Sequence, residues 1–410
     1  MGAALGRRRL ALLVVAAGLA VPAVASAAAV RAPASALQRK LERALRVPHV
    51  SPARSAAIAF DLGSGATLFA QNGALPLAPA SNEKLPLTYA ALATLGPSYR
   101  METDVLGDGA LDGTTWRGRL VIQGGGDPTL SSAGLRSLAA QVRAGGIRRV
   151  TGGIVADESL FDARRVVAGW RPSFFLYESP PLSALVVDRD RVVGYLSRNP
   201  ALAAGEAFAR TLRAAGVAVS GAVKVGVAGE EAFPLGEVTS PPLWTILRFM
   251  DRESDNFTAE LLLKQLGAVE AGRGTSAAGA AVVTQALVEA GVPMAGVRIV
   301  DGSGLSRLDR LTADALTGVL RAAWTNFTIR QALLAALPIA GVNGTLHDRL
   351  RQAPARGNVL AKTGTTREAS ALSGYVRNRY AFAVLQNGNP ISYWWARRAQ
   401  DRFATVLASE

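Results

Sequence analysis

Hydrophobic patterning predicts strands at both ends of the chain. Apolar residues are nearly continuous over residues 56–60 and 66–70, with a polar, glycine-containing turn between them, which predicts a hairpin. Near the C-terminus, apolar or alternating runs predict strands at residues 358–363, 371–377 and 379–386. Because helices separate the two groups of strands, the pattern predicts one antiparallel sheet built from distant parts of the chain.

Apolar residues at helical spacing predict the elements between and beside these strands. The predicted helices span residues 37–45, 81–95, 243–250, 257–266, 277–290, 313–323, 329–334 and 393–407. Pro86 lies near the start of the second helix, where a missing N–H costs little, and a local kink is expected there. Residues 254–256 fall in a loop between two helices.

Residues 100–235 have a different character. Glycine turns separate short apolar runs, and helical periodicity is confined to residues 135–144 and 207–215. The sequence therefore predicts a mixed α+β protein, in which an α/β domain at residues 100–235 is inserted into a domain formed by residues 28–99 and 236–410.

The N-terminus has the pattern of a signal peptide. Arg7, Arg8 and Arg9 precede an apolar run, Pro22 breaks that run, and a small-residue cleavage site ends at Ala27. We therefore expect a signal peptide at residues 1–27. An uncleaved anchor is the alternative, because residues 10–30 carry no charge and are long enough to span a bilayer. Both interpretations place the rest of the chain outside the cytoplasm, in the periplasm, the cell wall or the medium.

Composition narrows the functional classes. Of 410 residues, 49% are hydrophobic, which is enough for a sizeable core, and there is no cysteine, which excludes thiol catalysis, thiolate metal sites and disulfides. The net charge is +14, or +11 without the three arginines of the signal peptide. Wall polymers and anionic lipid head groups are candidate partners for this charge, and a solvated arginine-rich surface explains it equally well. No basic run with interleaved aromatic residues indicates nucleic-acid binding.

Lysine is rare. The chain has 45 basic residues, of which only Lys40, Lys84, Lys224, Lys264 and Lys362 are lysines. Because arginine does not lose its proton in proteins, only a lysine can supply an amine base. Lys84 alone has a serine, Ser81, three residues before it.

Ser81 and Lys84 share one face of the predicted helix, so the hydroxyl and the amine can meet. The hydroxyl becomes a nucleophile when a base takes its proton, and burial or a second cation such as Lys362 would lower the pKa of Lys84. The helix N-terminus also offers backbone N–H groups to an oxyanion. A chance Ser-x-x-Lys on a surface helix is the alternative for this string alone.

The string Ser254-Asp255-Asn256 has two compatible interpretations. Asp255 or Asn256 can cap the helix that follows. A rigid, capped loop can also hold the Ser254 hydroxyl as a proton relay and the Asn256 amide as a substrate contact.

The string Lys362-Thr363-Gly364 lies at the end of a predicted strand. The ammonium and hydroxyl groups can hold a carboxylate, and Gly364 allows a substrate backbone to approach. The N–H of Thr365, next in the chain, can join that of Ser81 in an oxyanion hole. An exposed turn between strands is the alternative.

Other hydrolytic chemistries lack their residues. His49 and His347 are the only histidines, and the chain has no Gly-x-Ser-x-Gly, no His-Glu-x-x-His and no phosphate-binding loop. We therefore expect neither a metal nor another cofactor.

Together the three strings resemble those of penicillin-binding proteins and class A β-lactamases. The chain looks like a low-molecular-mass, class C penicillin-binding protein of the D-alanyl-D-alanine carboxypeptidase/endopeptidase kind, peptidase family S13. Three further stretches carry the likeness: Gly124–Leu130, Pro180–Leu185 and Asp301–Arg307. The resemblance implies a transpeptidase-like catalytic domain that accepts peptidoglycan stem peptides and β-lactams.

By this resemblance Ser81 is acylated, with Lys84 as base, and Ser254 and Asn256 relay protons and orient substrate. Lys362 and Thr363 bind the terminal carboxylate, and water hydrolyses the acyl-enzyme. The separation of 170 positions from Lys84 to Ser254 fits a family that inserts extra domains there.

Two alternatives remain. A class A-like β-lactamase would need a deacylating Glu-x-x-Leu-Asn string, and Leu-Asn does not occur in the chain, so penicillin should acylate the serine and leave slowly. A non-catalytic wall-binding scaffold would not react with penicillin at all.

Overall fold

The computed structural model describes residues 35–192 and 195–410, so the predicted signal peptide and its cleavage site lie outside the described residues. The helices are α1 (Ala36–Leu45), α2 (Lys84–Thr94), α3 (Ser132–Ala144), α4 (Pro200–Ala214), α5 (Leu243–Glu253), α6 (Asn256–Ala271), α7 (Ser276–Glu289), α8 (Ala313–Thr325), α9 (Phe327–Ala336) and α10 (Tyr393–Ser409). The strands are β1 (Ser55–Asp61), β2 (Thr67–Gln71), β3 (Glu102–Asp112), β4 (Thr115–Gly124), β5 (Arg149–Val150), β6 (Ile154–Asp157), β7 (Arg191–Val192), β8 (Tyr195–Leu196), β9 (Ala218–Val219), β10 (Val223–Val225), β11 (Phe233–Thr239), β12 (Val359–Thr366), β13 (Ala369–Val376) and β14 (Tyr380–Asn387).

Strands from both ends of the chain form one five-stranded sheet in the order β12-β13-β14-β1-β2. All neighbours in it are antiparallel, so the predicted antiparallel sheet is confirmed. Successive residues of β1 face opposite sides: Ile58 packs with the helices α2 and α5–α9, whereas Ala57 and Ala59 pack with α1 and α10. Both faces are covered, which explains why the central strands are continuously apolar.

The middle of the chain forms a second, seven-stranded sheet. Here β3 pairs antiparallel with β4 and β11, whereas β4, β6 and β10 run parallel, and α3 and α4 cover the sheet. The mixed α/β character is confirmed. Residues Ala36–Glu410 cluster as one compact unit, and the division at residues 100 and 235 stays a prediction.

Two local expectations are corrected. Strand β12 does not end at residue 363 but continues to Thr366, because Thr366 pairs with Ala369 of β13. Lys362 lies in the strand, as predicted, and the alternative of an exposed turn at residues 362–364 is wrong. The predicted helix at residue 81 begins as a 3₁₀ turn, Ala80–Glu83, that leads directly into α2. Among the described residues, no helix is both long and apolar enough to cross a bilayer.

Candidate active site

The turn that carries Ser81 is held in an uncommon backbone conformation. Ala80, just before it, has φ +47°, a left-handed value that costs free energy for a residue with a Cβ. Two neighbours fix the turn. The Asn82 side-chain amide donates to the Lys362 carbonyl at 3.0 Å. Gly304 packs so closely that a Cβ on it would lie 1.9 Å from the Ala80 carbonyl oxygen.

Lys84 is fully buried and makes three polar contacts. Its Nζ lies 3.2 Å from Ser81 Oγ, 2.9 Å from Asn256 Oδ1 and 2.9 Å from the Ser303 carbonyl oxygen. Burial lowers the pKa of Lys84, and nearby carboxyl groups, Asp301 foremost, oppose that shift. The predicted proximity of the hydroxyl and the amine is therefore present in the structure.

The second string joins two helices. Ser254 has φ +58° and ends α5, and its backbone N–H closes the helix on the Met250 carbonyl. Asp255 caps α6 by accepting the Thr258 N–H at 2.8 Å, as expected for one of the two predicted capping residues. Asn256 is the first residue of α6, and this position brings its side chain to Lys84.

The third string faces the second across the cleft. Lys362 is fully buried, and its Nζ lies 2.8 Å from Ser254 Oγ. Burial and the neighbouring Lys84 lower the pKa of Lys362 to about 7, against the opposing effect of Asp251. The Thr363 hydroxyl lies 2.7 Å from that of Thr345. A Cβ at Gly364 would lie 2.8 Å from the Pro79 carbonyl oxygen, so glycine lets the strand pass close to the Ser81 turn.

Residues from all three strings line one pocket of about 460 Å³. Its walls are Ser81, Ser254, Thr345, Asp348, Arg349, Thr363, Thr365 and Arg397. Ser81 is partly exposed and Thr365 is exposed, whereas both lysines lie beneath the surface. A ligand in this pocket can therefore contact Ser81 and Thr365.

Buried carboxyl groups behind Lys84 were not identified from the sequence. The Glu260 carboxylate accepts the N–H groups of Gly302 and Ser303, the latter at 2.9 Å, and so holds the turn whose Ser303 carbonyl contacts Lys84. Burial, with a contribution from Asp301, raises the pKa of Glu260 to about 8.

Asp251 and Glu83 complete this buried layer. Asp251 accepts the Thr88 hydroxyl at 2.8 Å, and burial raises its pKa to about 6, against the pull of the two active-site lysines. Glu83 is buried with no hydrogen-bond partner within the described structure, and burial raises its pKa well above the usual range. Among the described residues these carboxyl groups do not form a cluster that could hold a metal ion.

One signal in the sequence could have revealed Glu260. It lies in the run Phe257–Gln265, where apolar residues occupy most positions, and all residues of the run are buried in α6. A charged residue in a helix that is buried all round needs a specific partner. The partner, a backbone turn at residue 302, lies 42 positions away and carries no local pattern.

Comparisons with known proteins identify relatives of this chain. The D-Ala-D-Ala carboxypeptidase 3 (S13) family matches residues 37–198 and 191–409. A D-alanyl-D-alanine carboxypeptidase of Actinomadura sp. (strain R39) is 33% identical over 90% of this chain and 84% of its own length. Carboxypeptidase DacB of Mycolicibacterium smegmatis is 35% identical over 85% of this chain and 79% of its own length.

The fold is also found among solved structures. The crystal structure of penicillin-binding protein 4 (dacB) from Haemophilus influenzae matches 90% of this chain and 98% of its own with a TM-score of 0.80, at 23% sequence identity. This likeness confirms the predicted fold class. On the family match and the relatives above 30% identity, the chain belongs to the D-Ala-D-Ala carboxypeptidase 3 (S13) family, as the sequence motifs predicted.

Proposed function

We propose that the chain is an exported, penicillin-sensitive serine D-alanyl-D-alanine carboxypeptidase and endopeptidase that acts on peptidoglycan stem peptides. Membership of the S13 family supports the carboxypeptidase activity. The observation that carries the catalytic assignment is the contact between the buried Lys84 amine and the Ser81 hydroxyl at 3.2 Å.

The hydrogen-bond inventory of Lys84 supports its role as the base. Two of its three partners, Asn256 Oδ1 and the Ser303 carbonyl oxygen, can only accept hydrogen bonds. A neutral amine has two N–H groups and one lone pair. If both N–H groups are given to these acceptors, the lone pair is directed at the Ser81 hydroxyl proton.

The reaction then follows from the arrangement. Ser81 Oγ attacks the carbonyl carbon of the penultimate D-Ala while Lys84 takes its proton, and the N–H groups of Ser81 and Thr365 hold the oxyanion. The peptide C–N bond breaks when the leaving amine of the terminal D-Ala receives, through the Ser254 hydroxyl, the proton that Lys84 took from Ser81. Lys362 Nζ lies 2.8 Å from this hydroxyl and stays protonated. Water then attacks the acyl carbonyl carbon and gives up a proton to Lys84, the bond from that carbon to Ser81 Oγ breaks, and Lys84 returns the proton to Ser81 Oγ as the peptide leaves as a carboxylic acid.

Substrate recognition uses the opposite wall of the pocket. The Lys362 ammonium and the Thr363 hydroxyl bind the terminal carboxylate of the peptide. Asn256 Nδ2 already donates to the Glu178 carbonyl at 3.1 Å, so this amide links the catalytic helix α6 to the chain segment before β7.

Mass spectrometry after incubation with benzylpenicillin tests the proposal. One penicilloyl group should be found on the peptide that contains Ser81, and it should be absent in Ser81→Ala. Ser64→Ala, which removes an exposed serine on the β1–β2 turn, serves as the control and should be acylated like the wild type.

The other outcomes distinguish the alternatives. Steady, rapid hydrolysis of penicillin without an accumulating adduct would identify a β-lactamase. A wild-type protein that forms no adduct would favour the non-catalytic scaffold.

A further inference from the structure

An open, basic groove lies between α1 and α10, outside the catalytic residues. It encloses about 1000 Å³. Its cationic lining is Lys40, Arg43, Arg397, Arg398 and Arg402, and among the described residues Asp401 is the single carboxylate that lines it.

Most of the positive charge of this groove is not neutralised within the part of the chain that the structure describes. Asp401 is bound by Arg349 at 2.7 Å, and Lys40 is bound by Glu410 at 2.7 Å. Within residues 35–192 and 195–410, the four arginines of the groove form no ion pair, and all four are exposed. Such a set of unpaired guanidinium groups is complementary to an anionic ligand.

The groove also presents an aromatic surface. Trp394 is 60% exposed, and the Arg398 guanidinium lies 4.9 Å from its ring centre and 5.7 Å from that of Trp395. These cation–π contacts place a guanidinium against the exposed ring. An exposed indole next to cations suits a ligand that combines apolar C–H faces with negative charge, as sugar rings with attached carboxylates do.

The groove adjoins the active site through shared lining residues. Arg397 lines both the groove and the pocket that contains Ser81, and Tyr393 lines both the groove and the adjoining cleft beside Thr365. From Tyr393 to Val406 the helix rises about 20 Å, whereas an extended D-Ala-D-Ala dipeptide spans only about 7 Å. The groove is therefore long enough for parts of a substrate far from the scissile bond.

We propose that the α1–α10 groove binds a peptidoglycan strand, through its free stem-peptide carboxylates and sugar rings, while a stem peptide of the same polymer occupies the catalytic pocket. This inference rests on the proposed function. It makes the polymeric wall, and not a soluble peptide, the preferred substrate. A membrane surface is the less suitable partner, because a flat bilayer does not continue into a cleft that receives wall peptides.

Binding to purified, insoluble peptidoglycan, stripped of lipid and of phosphate-bearing polymers, tests the proposal. The test variant is Arg43→Glu/Arg402→Glu, which reverses two exposed charges in the groove away from the catalytic pocket. The matched control is Arg136→Glu/Arg210→Glu, which makes the same change in net charge on exposed positions of α3 and α4.

The groove variant should bind peptidoglycan about tenfold more weakly than the wild type, because two attractions are lost and two repulsions are gained. The control should change less than about twofold. Amidation of the peptidoglycan carboxylates should weaken binding of the wild type by a similar factor, and added salt should do the same.

Two results would overturn the proposal. One is equal binding of peptidoglycan by the groove variant and the control. The other is a groove variant that binds peptidoglycan like the wild type but no longer binds phosphatidylglycerol vesicles. That result would identify a membrane surface as the partner of the groove.

Acylation by benzylpenicillin separates this proposal from the proposed function. All three proteins should be acylated at the same rate, because the exchanged residues do not line the catalytic pocket. A wild type that is not acylated contradicts the proposed function. A groove variant that is acylated normally and binds peptidoglycan like the wild type contradicts only the groove proposal.

Discussion

The charge on Lys362 should make substrate binding depend on pH. Burial and Lys84 lower the pKa of Lys362 to about 7 in the free protein. Only the protonated form attracts a carboxylate, so affinity is highest below pH 7 and falls as the pH rises. About nine-tenths of Lys362 is protonated at pH 6 and about one-tenth at pH 8. A bound carboxylate raises the pKa again, so the dissociation constant should increase about tenfold between these two pH values.

Calorimetry of the non-reactive variant Ser81→Ala with a peptide ending in D-Ala-D-Ala measures this effect without turnover. At pH 8, binding should also take up close to one proton, which is detected by repeating the titration in buffers of different ionisation enthalpy. Lys362→Arg in the same background supplies the control, because a guanidinium stays charged over this range. Its affinity should not vary with pH, although arginine cannot reproduce the 2.8 Å contact with Ser254.

A second control changes the ligand. A peptide that ends in a D-Ala amide has no carboxylate, so its weaker binding should show neither the tenfold change nor the proton uptake. Equal affinity at pH 6 and pH 8 with the acid peptide, or proton uptake that persists in the arginine variant, would refute the assignment of Lys362 as the carboxylate-binding group.

Two further predictions concern the support of the nucleophile. Gly304→Ala should greatly slow acylation and lower the melting temperature, because its Cβ would lie 1.9 Å from the Ala80 carbonyl oxygen. The control is Gly272→Ala: Gly272 has φ +63° and open space around it, so this change should lower the free energy of unfolding by only about 1 kcal/mol. Equal effects of the two substitutions would contradict the steric argument. Glu260→Leu should destabilise the fold by about 2–5 kcal/mol, measured by urea unfolding, because two buried N–H groups lose their acceptor and the Ser303 carbonyl loses its position. Glu260→Gln keeps one acceptor oxygen and should be acylated faster than the leucine variant. Equal acylation rates of the two variants would exclude this positioning role.

The sequence was sufficient for the elements whose signals are local. Alternating and continuous apolar runs located the five strands of the first sheet, and the i,i+3 spacing of Ser81 and Lys84 predicted their contact. The predicted end of β12 was wrong, because Gly364 and the threonines after it resemble a turn by composition. Their pairing with β13 depends on a partner strand that local propensity does not include.

The rarity of lysine was informative only in part. It drew attention to Lys84 and Lys362, which lie in the site, and also to Lys264, which is buried elsewhere and bound by Asp162 and the Arg164 carbonyl. A buried lysine is therefore not by itself a catalytic one. Tertiary contacts distinguish a catalytic lysine from a structural one. One of them is the contact of Lys84 with the Ser303 carbonyl, 219 positions away.

The two active-site lysines act on each other, and this connects recognition with catalysis. Lys84 lowers the pKa of Lys362, so two positive charges in the same buried cleft are unfavourable. A substrate carboxylate stabilises the charge on Lys362. The charged Lys362 in turn favours the neutral form of Lys84, which is the form with a lone pair for the Ser81 proton. On the proposed mechanism, a substrate carboxylate therefore favours the neutral amine that activates the nucleophile, and a ligand without the carboxylate does not.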